Sequence, residues 1–308
     1  MRVRLIVNPV ASSMTERRRA AITDGLGGHH ALESVETRAR GHARDLAAEA
    51  AAAGIDVVVV ASGDGTLNEA ADGLIGSTTA LAPLPGGATN VFARAIGYGN
   101  RLDDATALLL AALDAESIRR IGVGAANGRH FLFHLGAGFD AAVVDRIERN
   151  PKVKRYAAHP AFALQTVRLL AHGYDRRVPA MHVEAPEARA PHDSFFTVVS
   201  NVAPYTYAGP RRLLLTPDAS LDRALAVTSL TRFRLVDAVG AIGSSVGRAA
   251  RLQRAEEIVQ LSDVTEVSLT APDPDRPFPW QVDGEPLGTV DALVVRYLPD
   301  ALSVVLPA

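Results

Sequence analysis

The sequence predicts an α/β domain built on a parallel sheet, followed by a β-rich antiparallel domain. Residues 1 to about 123 alternate between apolar strand patterns and helical patterns, which is typical of a parallel sheet. From Ser117 the pattern changes to short strands interrupted by two helical segments. Because a chain of 308 residues can bury two separate cores, we expect domains at 1–123 and 124–296.

Local patterns justify each element of the first domain. The run from Ile55 to Ala61 is continuously apolar, which is typical of a parallel strand buried on both faces. The alanine-rich run that begins at Ala43 is a strong helix former, and Gly54 ends it. The predicted order is strand 3–7, helix 15–25, strand 32–37, helix 42–53, strand 55–61, helix 66–75, strand 81–84, helix 90–96 and helix 104–113.

The second domain is predicted to consist mainly of short strands. These are expected at 118–123, 130–135, 180–185, 195–201, 224–228, 265–270, 280–283 and 293–297. The two helical segments are expected at 151–173 and 235–253. Such a succession of strands indicates an antiparallel arrangement.

Three strands of the first domain end in loops of small, polar or glycine residues. The loops are Asn8 to Ser13, Ser62 to Thr66 and Pro85 to Asn90. The carboxyl ends of parallel strands share one edge of an open sheet, where ligands bind. A strand, a glycine turn and a helix also direct backbone N–H groups at an anion. The loops therefore predict a nucleotide phosphate site, although neither a Walker A motif nor Gly-x-Gly-x-x-Gly is present.

Asp64 lies inside the second loop, where a carboxylate repels phosphate. Its presence makes sense if Mg²⁺ is bound, or if a proton must be removed from an attacking hydroxyl. Gly65 beside it is expected to permit close approach of the backbone, or a positive φ. The loop therefore indicates phosphoryl transfer.

The chain resembles the diacylglycerol kinase catalytic domain family, which includes sphingosine and ceramide kinases and bacterial lipid kinases. The motifs that carry the resemblance are, in order, Asn8-Pro9, Ser62-Gly63-Asp64-Gly65-Thr66, Pro85 to Asn90 with Phe92-Ala93-Arg94, and Asp283-Gly284-Glu285. Three departures from the family pattern stand out. Ser62 replaces a glycine, Ala11-Ser12-Ser13 lacks one, and Ala88 replaces a glycine or serine.

The resemblance implies a first domain like those of NAD kinase and phosphofructokinase, and a second domain that is an antiparallel sandwich. It implies a closing segment at about 297–308 that returns to the first domain. The implied activity is phosphorylation of a diacylglycerol hydroxyl by ATP with Mg²⁺, giving phosphatidic acid. A sphingoid base, or a soluble acceptor such as NAD, is an alternative acceptor. A non-catalytic nucleotide- or lipid-binding protein is the alternative of a different class.

The resemblance also assigns three acids to catalysis. Asp64 is the leading base or metal-organising group, and Asp283 and Glu285 complete the site from the second domain. Alternation along a strand would place residues 283 and 285 on one face. The alternative is a β-turn, because Asp-Gly is a common hairpin signal.

The remaining candidates fall into three groups. Those for nucleotide binding offer backbone N–H groups, hydroxyls, amides or a neighbouring acid, and they are Asn8, Pro9, Ser12, Ser13, Thr37, Ser62, Gly63, Gly65, Thr66, Glu69, Gly86, Gly87, Thr89 and Asn90. Those for substrate or phosphate contact are Asp140, Lys154 and Arg155. Asp218 and Asp222 are candidate metal ligands, although Arg223 stands where the family has glycine.

Composition narrows the partners. The net charge of −2 gives no strong electrostatic field of the kind that attracts nucleic acid. The absence of cysteine excludes disulfides and thiolate chemistry. No apolar run approaches the roughly 20 residues of a spanning helix. We therefore expect a cytoplasmic protein without a transmembrane segment, which meets its lipid at the membrane surface. A homodimer is compatible with the sequence.

Overall fold

The structure, a computed structural model, describes residues 1–11, 13–149, 175, 177–232 and 257–307. The helical segments predicted at 151–173 and 235–253 lie outside these residues. The chain divides into two compact units, one formed by Met1–Val123 with Leu298–Ala308 and the other by Gly124–Tyr297. Among the described residues, no helix has both the length and the apolar composition needed to cross a membrane.

The first unit alternates strands and helices. Its elements are β1 (Arg2–Val7), α1 (Glu16–Gly27), β2 (Ala31–Glu36), α2 (His42–Ala52), β3 (Val57–Ser62), α3 (Asp64–Leu74), β4 (Ala80–Pro85), α4 (Val91–Ala95) and α5 (Leu102–Asp114). Each matches a predicted element, with ends that shift by up to two residues. Helix α1, for example, starts where the Thr15 side chain accepts a hydrogen bond from the Arg18 backbone and so caps the first turn.

Strands make up most of the second unit. Its elements, including two strands that also contribute to the first unit, are β5 (Ile118–Ala126), β6 (Arg129–Phe131), β7 (His134–Gly138), α6 (Phe139–Glu148), β8 (Met181–Glu184), β9 (His192–Ser194), β10 (Phe196–Ser200), β11 (Thr206–Ala208), β12 (Arg211–Leu213), β13 (Leu225–Leu230), β14 (Ile258–Val264), β15 (Glu266–Thr270), β16 (Phe278–Val282), β17 (Glu285–Val290) and β18 (Ala292–Val305).

The first unit contains the predicted parallel sheet, in the order β2-β1-β3-β4-β18. All positions of β3 and β4 are buried, as expected for central strands covered on both faces, whereas edge strand β2 is mostly exposed. Because β2 lies on one side of β1 and β3 on the other, the strand order reverses between β1 and β3. Ligands of open parallel sheets bind at the carboxyl ends of the strands at such a reversal.

The second unit is an antiparallel sandwich, so this part of the fold prediction is confirmed as well. One sheet has the antiparallel order β14-β13-β10-β7-β16-β17. In the other sheet, the N-terminal part of β18 pairs with β15, β15 pairs with β8, and β8 pairs with β9. Alternate residues of both sheets, such as Leu135 in β7 and Leu293 in β18, belong to one buried cluster. The core of this unit therefore lies between the two sheets.

The prediction of one continuous strand at 130–135 is wrong. The structure has two strands there, β6 and β7, with a break at Leu132 and Phe133. The backbone N–H groups of these two residues donate to the carboxylate of Asp283, at 2.8 and 3.1 Å. Because these N–H groups donate to a side chain and not to a neighbouring strand, the regular strand is interrupted there.

Candidate functional site

The three loops predicted to bind phosphate contact one another at the carboxyl edge of the parallel sheet. Asn8 Nδ2 in the first loop donates to Thr66 Oγ1 after β3, at 3.1 Å. The Ser13 N–H donates to the Gly86 carbonyl at 3.2 Å, and the Gly86 N–H donates to the Ser62 carbonyl at 2.9 Å. The loops after β1, β3 and β4 are therefore linked by hydrogen bonds at the point where the strand order reverses.

Glycine is required where the second and third loops touch. A Cβ added to Gly86 would lie 2.8 Å from the Cα of Ser62, and one added to Gly87 would lie 2.6 Å from the Cα of Gly63. These distances are shorter than van der Waals contact, and the atoms in the way are backbone. Gly65 is different, because its φ is not positive and an added Cβ would meet no described atom within 4 Å. The expected positive φ at Gly65 is thus wrong.

Asp64 links the second loop to the third. It is the first residue of α3, and its carboxylate oxygens accept hydrogen bonds from the N–H groups of Val91 at 3.0 Å and Phe92 at 3.3 Å. The carboxylate thereby caps the start of α4. Burial raises the pKa of Asp64, while these backbone hydrogen bonds and the nearby Arg94 oppose the shift.

Asn90 braces the third loop from within. Its backbone is left-handed, with φ 52°, and its side chain accepts a hydrogen bond from the Gly87 N–H at 2.8 Å and donates to the Gly87 carbonyl at 2.9 Å. Its Nδ2 also donates to Asn100 Oδ1 at 2.7 Å, and Arg94 donates to the Thr89 carbonyl at 3.3 Å. Sequence reasoning did not single out Asn100 or Arg94, although Arg94 belongs to the Phe-Ala-Arg motif.

Other candidates for nucleotide binding lie along the same edge. The Thr37 N–H donates to the Val7 carbonyl at 2.9 Å, which fixes Thr37 beside the end of β1. The Ser13 hydroxyl is buried and has no hydrogen-bond partner among the described residues. Glu69 lies half-buried in α3, Pro9 is exposed in the first loop, and Ser12 falls outside the described residues.

Asp283 does not lie in a strand with Glu285, so the expected same-face arrangement is wrong. Asp283 and Gly284 form the two-residue turn between β16 and β17, with φ 48° and 81°. Asp-Gly favours such a turn because both residues tolerate positive φ. The Asp283 side chain is 7% exposed and accepts hydrogen bonds from the N–H groups of Leu132, Phe133 and His134, at 2.8–3.1 Å.

Substitution of Asp283 by alanine is expected to destabilise the protein by about 3 kcal/mol or more, because three buried N–H groups lose their acceptor together. The free energy of unfolding, measured in urea, checks this. Asp275→Ala, at an exposed turn residue, is the matched control and should change it by less than about 0.5 kcal/mol. Equal effects in the two variants would contradict a bracing role for Asp283.

Glu285 is the first residue of β17 and is paired with Arg129. Its Oε2 lies 3.0 Å from Arg129 Nη2, and the two side chains are 22% and 29% exposed. Sequence reasoning did not single out Arg129. The pair joins β17 to β6 within the second unit.

Asp140, a candidate for substrate contact, is buried at the start of α6. Tyr205 Oη donates to its Oδ1, and Gln281 Nε2 donates to its Oδ2 at 2.9 Å. Burial raises the pKa of Asp140, and these two hydrogen bonds oppose the shift. The other candidates of this group, Lys154 and Arg155, lie outside the described residues.

The candidate metal ligands, Asp218 and Asp222, lie in the segment between β12 and β13. Asp218 accepts a hydrogen bond from Ser262 Oγ at 3.4 Å, and the Asp222 N–H donates to Ser220 Oγ at 3.3 Å. No group of three histidine or acidic side chains that could hold a metal occurs among the described residues. Mg²⁺ keeps several waters and is commonly held by one or two carboxylates plus substrate phosphates. Asp64 is the one acidic residue in the sequences of the three loops, so it is the loop residue that could hold Mg²⁺.

Comparisons with known proteins show which family the chain resembles. The diacylglycerol kinase catalytic domain profile matches residues 2–126. A protein of Pseudomonas putida named Probable lipid kinase YegS-like is 31% identical over 236 residues, 69% of this chain and 78% of that protein. A YegS-like protein of Pseudomonas aeruginosa is 41% identical over 114 residues, and the Diacylglycerol kinase of Bacillus subtilis is 36% identical over 107. These last two matches span 36% and 33% of the relatives' lengths.

Solved structures share the fold over nearly the whole chain. A diacylglycerol kinase from Bacillus anthracis has a TM-score of 0.73 and 19% identity, covering 99% of this chain and 96% of that one. Yeast NADH kinase complexed with NADH has a TM-score of 0.52 and 9% identity, covering 100% and 84%. The fold is thus one that diacylglycerol kinases share with NADH kinase, as the family resemblance implies. With the relative from Pseudomonas putida, these findings show that the chain belongs to the diacylglycerol kinase catalytic domain family.

Proposed function

We propose that the protein is a lipid kinase that transfers the γ-phosphoryl group of ATP to the hydroxyl of diacylglycerol, giving phosphatidic acid. The observation that carries the proposal is the joining of three loops at the carboxyl edge of the parallel sheet, where its strand order reverses. Phosphoryl transfer depends mostly on positioning and charge neutralisation. Loops that are linked by hydrogen bonds can position the reacting groups.

The starts of α3 and α4 differ in the N–H groups that they can offer to a ligand. The first two N–H groups of α4 already donate to Asp64. Helix α3 is eleven residues long and begins at the Gly63–Asp64 step of the second loop. In the proposal, the start of α3 therefore receives the nucleotide phosphates through the N–H groups of Gly65 and Thr66, assisted by the Ser13 hydroxyl.

Asp64 has two tasks in this proposal. Its carboxylate accepts hydrogen bonds from the start of α4, and in the proposal it would also hold Mg²⁺ together with phosphate oxygens. Bound Mg²⁺ would neutralise charge on the β- and γ-phosphates. The raised pKa of Asp64 also suits a group that accepts the proton of the attacking hydroxyl.

The acceptor is proposed to be diacylglycerol because the relative from Bacillus subtilis is named Diacylglycerol kinase. The two relatives from Pseudomonas are named probable lipid kinases. Diacylglycerol resides in membranes, whereas ATP is abundant in the cytoplasm. The enzyme would thus act in the cytoplasm, in peripheral contact with the membrane surface.

Lipid-dependent ATP turnover tests the function directly. ADP release is measured with Mg²⁺ and detergent micelles, with or without diacylglycerol, and in parallel with sphingosine or NAD. We expect turnover to rise at least about tenfold with diacylglycerol and to yield phosphatidic acid. Stimulation by sphingosine or NAD alone would reassign the acceptor, and no stimulation by any of them would overturn the kinase proposal.

A further inference from the structure

The loop after β2, residues 37–41, takes no part in the proposed phosphate site but lies at the same edge of the sheet. The Thr37 N–H donates to the Val7 carbonyl at 2.9 Å, so the loop starts beside the end of β1. Strand β1 lies between β2 and β3, and neighbouring strands are about 4.8 Å apart. The loop is therefore about 10 Å from the end of β3, where the phosphates are proposed to bind. A nucleotide that is bound there by its phosphates can reach the loop with its ribose.

His42 closes this loop. Its Nδ1 accepts a hydrogen bond from the Arg38 N–H at 3.0 Å, and its own N–H donates to the Ala39 carbonyl at 3.3 Å. A backbone N–H can only donate, so Nδ1 is the acceptor, and the proton of the neutral ring is on Nε2. Between these contacts, Gly41 takes the left-handed conformation, with φ 84°. The ring and the backbone of His42 thus fix the loop at two points.

His42 is the first residue of α2, and α2 is packed tightly on α3. A Cβ added to Gly73 in α3 would lie 2.3 Å from the Arg44 carbonyl, so the backbones of the two helices are in contact there. Ala43 and Ala47 of α2 are fully buried. Helix α3 is the helix whose start is proposed to receive the phosphates. The ring of His42 therefore belongs to a rigid element that is fixed relative to that start, which suits a residue that positions a loop.

We infer that His42 is a positioning residue for the nucleotide, and that it holds the loop 37–41 in the shape that receives the ribose of ATP. The inference rests on the proposed function, because it needs the phosphates at the start of α3. In doubly wound sheets that bind dinucleotides, a side chain that follows the second strand bonds a ribose hydroxyl. Thr37 follows β2 here, and its hydroxyl can both donate and accept. His42 acts on the ribose through this loop and does not touch it.

Two substitutions separate the acceptor of His42 from its polarity alone. The side-chain oxygen of asparagine takes about the place of Nδ1, whereas the amide of glutamine takes about the place of Nε2. His42→Asn should therefore keep the hydrogen bond from the Arg38 N–H, and His42→Gln should lose it. ATP affinity, measured by calorimetry without lipid, should stay within about twofold of the wild type in His42→Asn. It should be about five- to tenfold weaker in His42→Gln, the worth of one hydrogen bond.

Two further measurements test which part of ATP the loop meets. Inorganic triphosphate, which has no ribose, should bind equally to the wild type and to His42→Gln. In a double-mutant cycle on ATP affinity, Thr37→Val and His42→Gln should be non-additive, because each removes the same contact. A loss of triphosphate affinity in His42→Gln, or cleanly additive free-energy losses in the cycle, would overturn the inference. Equal ATP affinity in His42→Asn and His42→Gln would overturn it as well.

His29→Gln is the matched control. His29 is exposed and precedes β2, so it lies at the opposite edge of the sheet. The substitution should leave ATP affinity and the free energy of unfolding in urea unchanged.

The inference and the proposed function fail separately. Lipid phosphorylation together with unchanged ATP affinity in His42→Gln would overturn only the inference. ATP binding that depends on His42, in a protein that phosphorylates no lipid, would overturn the proposed function and leave the inference standing.

Discussion

Asp64→Asn is expected to lower lipid-dependent ATP turnover by about 10²–10⁴-fold, the usual cost of losing a positioned base. The substitution removes the negative charge, and it also disturbs the loops. An amide has one acceptor oxygen, whereas the carboxylate accepts from both Val91 and Phe92. The NH₂ group of asparagine would point at one of these N–H groups and leave it unpaired.

Two measurements separate these effects. Hydrogen exchange at the amides of Val91 and Phe92 reports on the cap, and turnover at saturating ATP and lipid reports on the chemistry. We expect faster exchange together with the loss of turnover. Asp103→Asn, at an exposed residue in the first turn of α5, is the control and should change neither. Near wild-type turnover in Asp64→Asn would exclude a charge-dependent role.

Gly87→Ala is expected to destabilise the protein by about 2 kcal/mol or more and to weaken ATP binding at least about tenfold. The new methyl group would lie 2.6 Å from the Cα of Gly63, so the second and third loops would have to separate. Urea denaturation measures the first effect, and calorimetry with ATP measures the second. The closest contact of the new methyl group is with the backbone of Gly63, and Asn90 Oδ1 would lie 3.1 Å from it.

Gly65→Ala is the matched comparison, since Gly65 lies two residues from Gly63 but has open space among the described residues. Its stability should be that of the wild type. A loss of ATP affinity in Gly65→Ala without a loss of stability would show that the nucleotide approaches this backbone closely. Equal destabilisation by the two alanines would contradict the contact between the loops.

The parallel half of the fold could be predicted closely because its signals are local. The apolar run before Ser62 and the alanine-rich run before Gly54 each determine one element. The second half was harder because its strands are short, and strand β17 contains both Pro286 and Gly288. Such residues weaken a strand pattern, and pairing with β16 stabilises β17 as a strand.

The site could be located from sequence, but its partnerships could not. That three loops share an edge follows from the alternation of strands and helices. That Asp64 caps a helix 27 residues away depends on how α4 packs, which no local pattern encodes. The Asp-Gly pattern at 283–284 is typical of a turn, and the family resemblance favoured a strand there instead.

The long strand β18 has a consequence for synthesis on the ribosome. Its residues Ser303 and Val304 pair with Ala80 and Leu81 of β4, and the Val305 carbonyl accepts a hydrogen bond from Tyr98 Oη. These residues are translated only after the whole of the second unit. Until then, the nascent first unit exposes an unpaired edge at β4, and such edges invite association with other chains. The pairing of β18 with β4 therefore covers an edge that would otherwise be open to other chains.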